Sequence, residues 1–198
     1  AALFAQAPDR SKPPAPGPVP ALKLPAIQKQ TLANGLPVWI VEMHEVPVVD
    51  VSLIVKSGAT SDPAGKFGAA SYTAAMLDEG AGTRSSLELA DAIDALGASL
   101  STSSSYDASF VRLHSLSSKL DLALPIMADV ALRPTFPERD MDRLRSDRLT
   151  GLIELRDNAS QLATAAFGRL LFGPAHRFGT GAVGTEATNK AMTVADLR

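Results

Sequence analysis

The sequence predicts an α+β domain, a mixed and mostly antiparallel β-sheet with helices packed on one face. Two observations carry this. Strand-like and helix-like segments come in runs (three strands, two helices, two strands, three helices), whereas a doubly wound sheet alternates them. Asn34-Gly35 separates two short β-prone stretches, the mark of an antiparallel hairpin. With 198 residues, 45% of them apolar, the chain can bury a core in one domain and still carry a tail.

Residues 1–26 read as a leader. Lys12-Pro-Pro-Ala-Pro-Gly-Pro-Val-Pro20 cannot form helix or an interior strand, and predicts an extended polyproline-like arm. Ala1 to Ala7 is an apolar stub ending small-x-small. It fits the end of a secretory signal, which would place the protein in a bacterial periplasm; an arbitrary chain boundary fits equally well.

The folded domain is expected over 27–198. Gln28–Leu32 and Pro37–Glu42 form the hairpin, with a type I′ turn and Trp39 as the largest core candidate. Val48–Lys56 is a third strand, rich in β-branched residues. Gly68–Glu79 reads as a helix stopped by Gly80. Ser85-Ser-Leu-Glu88 is a capping box opening a helix with Leu89, Ile93 and Leu96 on one face and Gly97 at its end. Two strands follow, Ala98–Ser104 and Ala108–Ser115. The next helix is capped at Ser118-Lys-Leu-Asp121 and carries Leu120, Leu124, Met127 and Ala131, with Pro125 tolerated only if the helix starts near Asp121. Pro137 to Asp157 is a long helix with Met141, Leu144, Leu152 and Leu155 as its stripe. Another helix spans Ser160–Phe172, and Gly173–Gly184 is loop. Thr193-Val-Ala-Asp196 reads as a helix start that buries nothing, so the chain is expected to be a piece of a longer polypeptide, cut before the last strand of the domain.

Composition removes several function classes. The net charge is −2, which argues against nucleic acid as a partner. No apolar run approaches the roughly 20 residues of a membrane span. Cysteine is absent, which excludes disulfides, thiolate zinc sites and Cys nucleophiles. Gly179-Thr-Gly181-Ala-Val-Gly184 matches G-x-G-x-x-G but lacks the preceding strand and the later acidic residue, so it reads as a flexible glycine loop. His44, His114 and His176 show no i, i+4 pairing. Gly97-Ala-Ser99-Leu-Ser101 leads into a strand instead of the helix a nucleophile elbow needs.

Gly68-Ala-Ala70-Ser71-Tyr-Thr-Ala74-Ala75-Met76-Leu77-Asp-Glu-Gly80 resembles the inverted zinc-binding helix of the insulinase, or pitrilysin, family, which includes the mitochondrial processing peptidase. Active members read roughly G-x-A-H-x-x-E-H-M-x-x-x-G there. The likeness continues through the Asn34-Gly35 hairpin, the V-S-L-I-V-K-S-G strand ending at Gly58, and Leu96-Gly97. It resumes at Arg133-Pro134-Thr-Phe136, Phe172-Gly173-Pro-Ala-His176-Arg-Phe178-Gly179 and Thr193-Val-Ala-Asp-Leu197. It spans about 27–198 and implies the fold of the first domain of those peptidases.

The resemblance also marks a departure. Ser71 and Ala75 hold the places of the two zinc-ligating histidines, and Ala74 that of the catalytic glutamate. By register, the third ligand falls near Gly151. Methyl groups neither ligate zinc nor take a proton from bound water. The resemblance therefore implies no catalytic residue, metal ligand or cofactor in this chain, with zinc held by an active partner subunit carrying H-x-x-E-H. This chain would then be the non-catalytic companion, shaping a chamber for extended peptides. Ser99, Leu100, Ser101, Thr102 and Ser103 would offer a strand edge to the substrate backbone, unless that edge is simply solvated and blunted by serines. The alternatives are a structural or assembly subunit with no proteolytic role and a metalloendopeptidase using an unrecognised metal site.

Overall fold

The computed structural model describes Gly17 and residues 24–198. The expected leader lies outside the described residues apart from Gly17 and the coil at 24–26. The chain divides into two compact units, the first ending at Val46 and the second running Pro47–Arg198.

The first unit contains an antiparallel hairpin of β1 (Ile27–Thr31) and β2 (Pro37–Val41), with Lys29 opposite Trp39. Its turn differs from the type I′ expectation. Gly35 N–H donates to the Leu32 carbonyl and Leu36 N–H to Asn34 Oδ1. Gly35 has φ +86°, while Asn34 is not among the residues with positive φ. This is a three-residue loop with glycine in the left-handed position. Trp39 is not a core residue: it is 66% exposed, because a two-stranded ribbon offers no second layer. Lys29 Nζ lies 4.5 Å from its ring centroid.

The second unit is built on a three-stranded antiparallel sheet of β3 (Val48–Val55), β7 (Ser109–Leu116) and β6 (Ser99–Ser104), ordered β3-β7-β6. Register decides its two faces. Val51, Leu113 and Leu100 align across the sheet, as do Leu53, Val111 and Thr102. Opposed residues point to the same side, so this side is apolar. Asp50, His114 and Ser99 align on the other side, next to the row Ser52, Arg112 and Ser101. The apolar side is covered by α2 (Ser86–Asp94) and α3 (Leu120–Leu132), which bury Leu89, Ile93, Ala123, Ile126, Met127 and Val130 with Val111 and Leu113. Helices on one face of an antiparallel sheet is the architecture the sequence predicts.

The Ser85–Glu88 capping box of α2 forms as expected. The α3 stripe holds except at one place: Met127 is buried and Leu120 and Ala131 pack on the core, but Leu124 is 44% exposed, and Ala123, Ile126 and Val130 share the buried face. A 3-10 turn over Ser117–Lys119 feeds α3 without a side-chain cap. A short ladder of β4 (Gly80–Ala81) and β5 (Arg84–Ser85) was not legible from the sequence, since two residues show no periodicity.

A second core joins α1 (Ala69–Met76) to α4 (Glu138–Asp157). It contains Tyr72, Met76, Phe136, Met141, Met192 and Leu197. Thr193 and Asp196 form a capping box around one 3-10 turn. The expectation that this segment buries nothing is thus corrected by Met192 and Leu197. Helices α5 (Ala159–Phe172) and α6 (Glu186–Ala191) complete the unit. Among the described residues no helix is long and apolar enough to cross a membrane.

Candidate functional site

Helix α1 is anchored at its first turn. Asp62 accepts from the backbone N–H of Gly68 at 2.7 Å and of Ala70 at 2.8 Å, satisfying donors that a helix start leaves free. Arg177 Nη2 donates to the same carboxylate at 3.1 Å. Its Nε donates to the Ala59 carbonyl and Nη1 to that of Thr180, and its guanidinium lies over the Phe67 ring. Both side chains are buried, Asp62 at 2% and Arg177 at 9% exposure.

Gly68 and Gly184 lock a second contact. Each has positive φ, and a Cβ on Gly184 would stand 2.0 Å from the Phe67 carbonyl oxygen. The third glycine of G-x-G-x-x-G therefore serves close backbone approach to the start of α1. The motif is not the freely flexible loop its composition suggested.

The helix then presents Ser71, Ala74 and Ala75, one turn apart on adjoining positions. Ala74 is buried and Ser71 and Ala75 are partly buried. Ser71 Oγ accepts from Arg148 Nη2 at 2.6 Å. Arg148, on α4, also donates from Nε to Asn189 Oδ1 at 2.9 Å, and its Cζ lies 4.6 Å from the centroid of the Tyr72 ring. Asn189 is fully buried and donates to the carbonyls of Val183 and Thr185. Tyr72 Oη donates to the Met141 carbonyl at 2.6 Å. Burial pulls the Arg148 guanidinium below its ordinary range, and the Tyr72 and Asp62 oxygens offset part of that. Burial likewise raises the Tyr72 hydroxyl, against the pull of Arg145 and Arg148.

Gly151 lies three residues beyond Arg148 on α4. It is exposed, and a Cβ there would meet nothing within 4 Å. The only donor on this face is thus one hydroxyl, already engaged by a cation, beside methyl groups that can ligate nothing. Zinc needs imidazole, thiolate or carboxylate, so this set does not fit a zinc ion. Among the described residues no group of three His, Asp or Glu side chains converges elsewhere. His114 Nδ1 is 2.8 Å from Asp50 Oδ1, and His176 Nδ1 accepts from Phe178 N–H.

Ser99 to Ser103 lie in β6, which pairs only with β7 among the described strands. Helix α1 packs against β6 and β7. Burial raises the carboxyl of Asp78, just past α1, above the usual range, and the polar groups near it, Thr102 among them, hold the rise back. The sequence reading missed Arg148, Asn189 and Asp78. Arg148 left one trace, a cation within the apolar stripe Met141, Leu144, Leu152 and Leu155. Nothing in the sequence marked the other two.

A model of the insulinase family, peptidase family M16, matches residues 38–169. The chain belongs to the insulinase family. An uncharacterized zinc protease of Mycobacterium leprae is 30% identical over 178 residues, covering 89% of this chain and 40% of that protein. The β subunit of the mitochondrial processing peptidase of Rattus norvegicus is 28% identical over 176 residues, covering 84% of this chain and 36% of the subunit. A structure from Pseudomonas fluorescens described as a peptidase M16 inactive domain superposes with a TM-score of 0.82 at 30% identity, covering 86% of this chain and 42% of that one. The periplasmic protease PqqL of Escherichia coli shares the fold, with a TM-score of 0.76 at 19% identity over 86% of this chain and 20% of its own. This insulinase-family chain spans about two fifths of the length of the first two of these relatives and of the Pseudomonas structure.

Proposed function

We propose that this insulinase-family domain belongs to a non-catalytic companion subunit of a zinc endopeptidase. It shapes the peptide-binding chamber of a heterodimer whose active subunit carries H-x-x-E-H and the zinc. One observation carries the reading: the scaffold around α1 is intact, yet its ligand-bearing face holds Ser71, Ala74 and Ala75, with Ser71 joined to Arg148. The Pseudomonas neighbour, described as an inactive domain, agrees with it.

The test mixes the protein with an insulinase-family subunit of the same organism that has an intact H-x-x-E-H helix, and follows cleavage of an unstructured peptide. The two should copurify, and cleavage should require the partner's glutamate. Chelator-sensitive cleavage by this protein alone would instead establish an enzyme with its own metal site. Copurification with a multi-subunit assembly that never cleaves peptide would favour a structural role.

Peptide retention is assigned to the open edge of β6. In an antiparallel pair, successive residues alternate between bonding the neighbour strand and facing away. Of Ser101→Pro and Thr102→Pro, therefore, one removes an outward donor and the other breaks pairing with β7. The outward variant should fold normally and retain peptide at least several-fold less well. Unchanged retention by both folded variants would leave the edge merely solvated. A periplasmic address, suggested by the small-residue stub at 1–7, is checked by fractionating cells that express the protein from its own start.

A further inference from the structure

We propose that the Arg148 guanidinium replaces the metal ion as the cation that fastens α1 to α4, and that it bars a divalent ion from this helix. This rests on reading α1 as the altered zinc helix. It deepens that reading by saying what now occupies the site.

The geometry is that of a built site instead of a surface arginine. Arg148 reaches Ser71 Oγ at 2.6 Å, at the first ligand place, and Asn189 Oδ1 at 2.9 Å, with its plane over Tyr72. Its Nη2 also approaches the Val183 carbonyl at 3.3 Å. Three elements and a loop therefore converge on one cation: α1, α4, α6 and the segment at 183. A metal ion bound between α1 and α4 would join the first two by the same logic, a positive charge drawing in oxygen and nitrogen donors. The guanidinium does so permanently, because it keeps its proton at any physiological pH.

Its partners are all neutral. No carboxylate lies within ion-pairing distance of Arg148 among the described residues, although twelve such pairs occur elsewhere in them. The site therefore carries a positive charge with no carboxylate paired to it; burial lowers its proton affinity, and the more distant Asp62 offsets only part of that. A dication placed beside it meets direct repulsion. Steric loss does not explain the missing third ligand, since the space at Gly151 is open. A carboxylate introduced there would stand at i+3 from Arg148, where a guanidinium captures it. Restoring ligands alone should thus produce a salt bridge and no zinc site.

Two protein variants test this by zinc titration against a chromophoric chelator. The first carries S71H, A74E, A75H and G151E; the second adds R148L. The unaltered protein measures adventitious surface zinc. The second variant should bind one zinc at least a hundredfold more tightly than the first. Equal affinity in both, or no specific zinc in either, overturns the exclusion. The fastening role is read separately in the otherwise unaltered protein. Arg148→Leu should lower Tm and speed amide exchange in α1, with Arg148→Lys intermediate; unchanged exchange in α1 overturns it. This second measurement stands even if neither multiple variant folds. A failed pull-down of an active subunit would leave both results intact, so this idea and the companion reading fail separately.

Discussion

Two arginines reach the same helix, and they differ in what they find there. Arg177 meets the Asp62 carboxylate at the first turn of α1 and has every nitrogen engaged in a buried network. Arg148 meets a hydroxyl, an amide oxygen and an aromatic face beside the same turn, with no carboxylate in ion-pairing distance among the described residues. The first is a conventional structural ion pair: the cation completes the capping of a helix. The second is a cation with no paired carboxylate among the described residues, held at a place the family resemblance assigns to a metal ligand. The contrast separates the framework of α1, which is maintained with full charge compensation, from its chemical face, which is not.

The largest expected effect breaks the framework side. Arg177→Met leaves a buried carboxylate without its cation and should cost about 3–5 kcal/mol, read from chemical denaturation. A loss below about 1 kcal/mol would mean that the backbone N–H groups of Gly68 and Ala70 suffice for Asp62, and the comparison would lose its first term. Gly184→Ala should cost about 2 kcal/mol or more, because the new Cβ meets the Phe67 carbonyl at 2.0 Å in a left-handed conformation.

Arg148→Met sharpens the comparison, since it removes hydrogen bonds to neutral acceptors and leaves no buried charge behind. A loss of about 1–2 kcal/mol is expected, clearly smaller than at Arg177. Gly151→Ala should go the other way. The site is exposed and open, so replacing glycine in a helix interior should stabilise by about 0.5–1 kcal/mol. Thermal unfolding of the two α4 variants side by side would show whether one turn of one helix holds a fastening and a vacancy together.

Much of this was legible in the residues. The clustered strands, the Ser85–Glu88 box and the run of glycines fixed the order of elements, because each has a local physical cause. That Ser71, Ala74 and Ala75 share one face of α1 was legible too, since it follows from helical spacing. The engagement of Ser71 by Arg148 was not. Arg148 is one of five arginines on α4, and only the three-dimensional approach of α1, α6 and the 183 segment distinguishes it. Trp39 failed for the opposite reason: a residue type that favours burial was assigned a core before any layer existed to cover it. The α3 stripe missed only at Leu124, because the buried face centres on Ala123, Ile126, Met127 and Val130, and spacing alone does not tell which of two adjacent residues faces inward.

The smallest effect concerns a third cation near the same helix start. Lys66 Nζ lies 2.8 Å from Asp196 Oδ2. The carboxyl of Asp196 is held down to about 2, first by the Lys66 hydrogen bond and then by the Thr193 hydroxyl and N–H. Because the folded value is depressed, the associated stability is present above the ordinary carboxyl range near pH 4. It fades as pH falls through about 2. The pair is only partly buried, so salt should weaken it, unlike the pair at Arg177. Carboxyl-carbon NMR titration should find Asp196 near 2 in the protein at low salt. In Lys66→Met it should move part of the way back toward 3.8, since the Thr193 bonds remain. An ordinary titration in the unaltered protein would show that this contact does not persist in solution. Only the buried pair at Asp62 would then tie the 62–68 segment to the rest of the fold by charge.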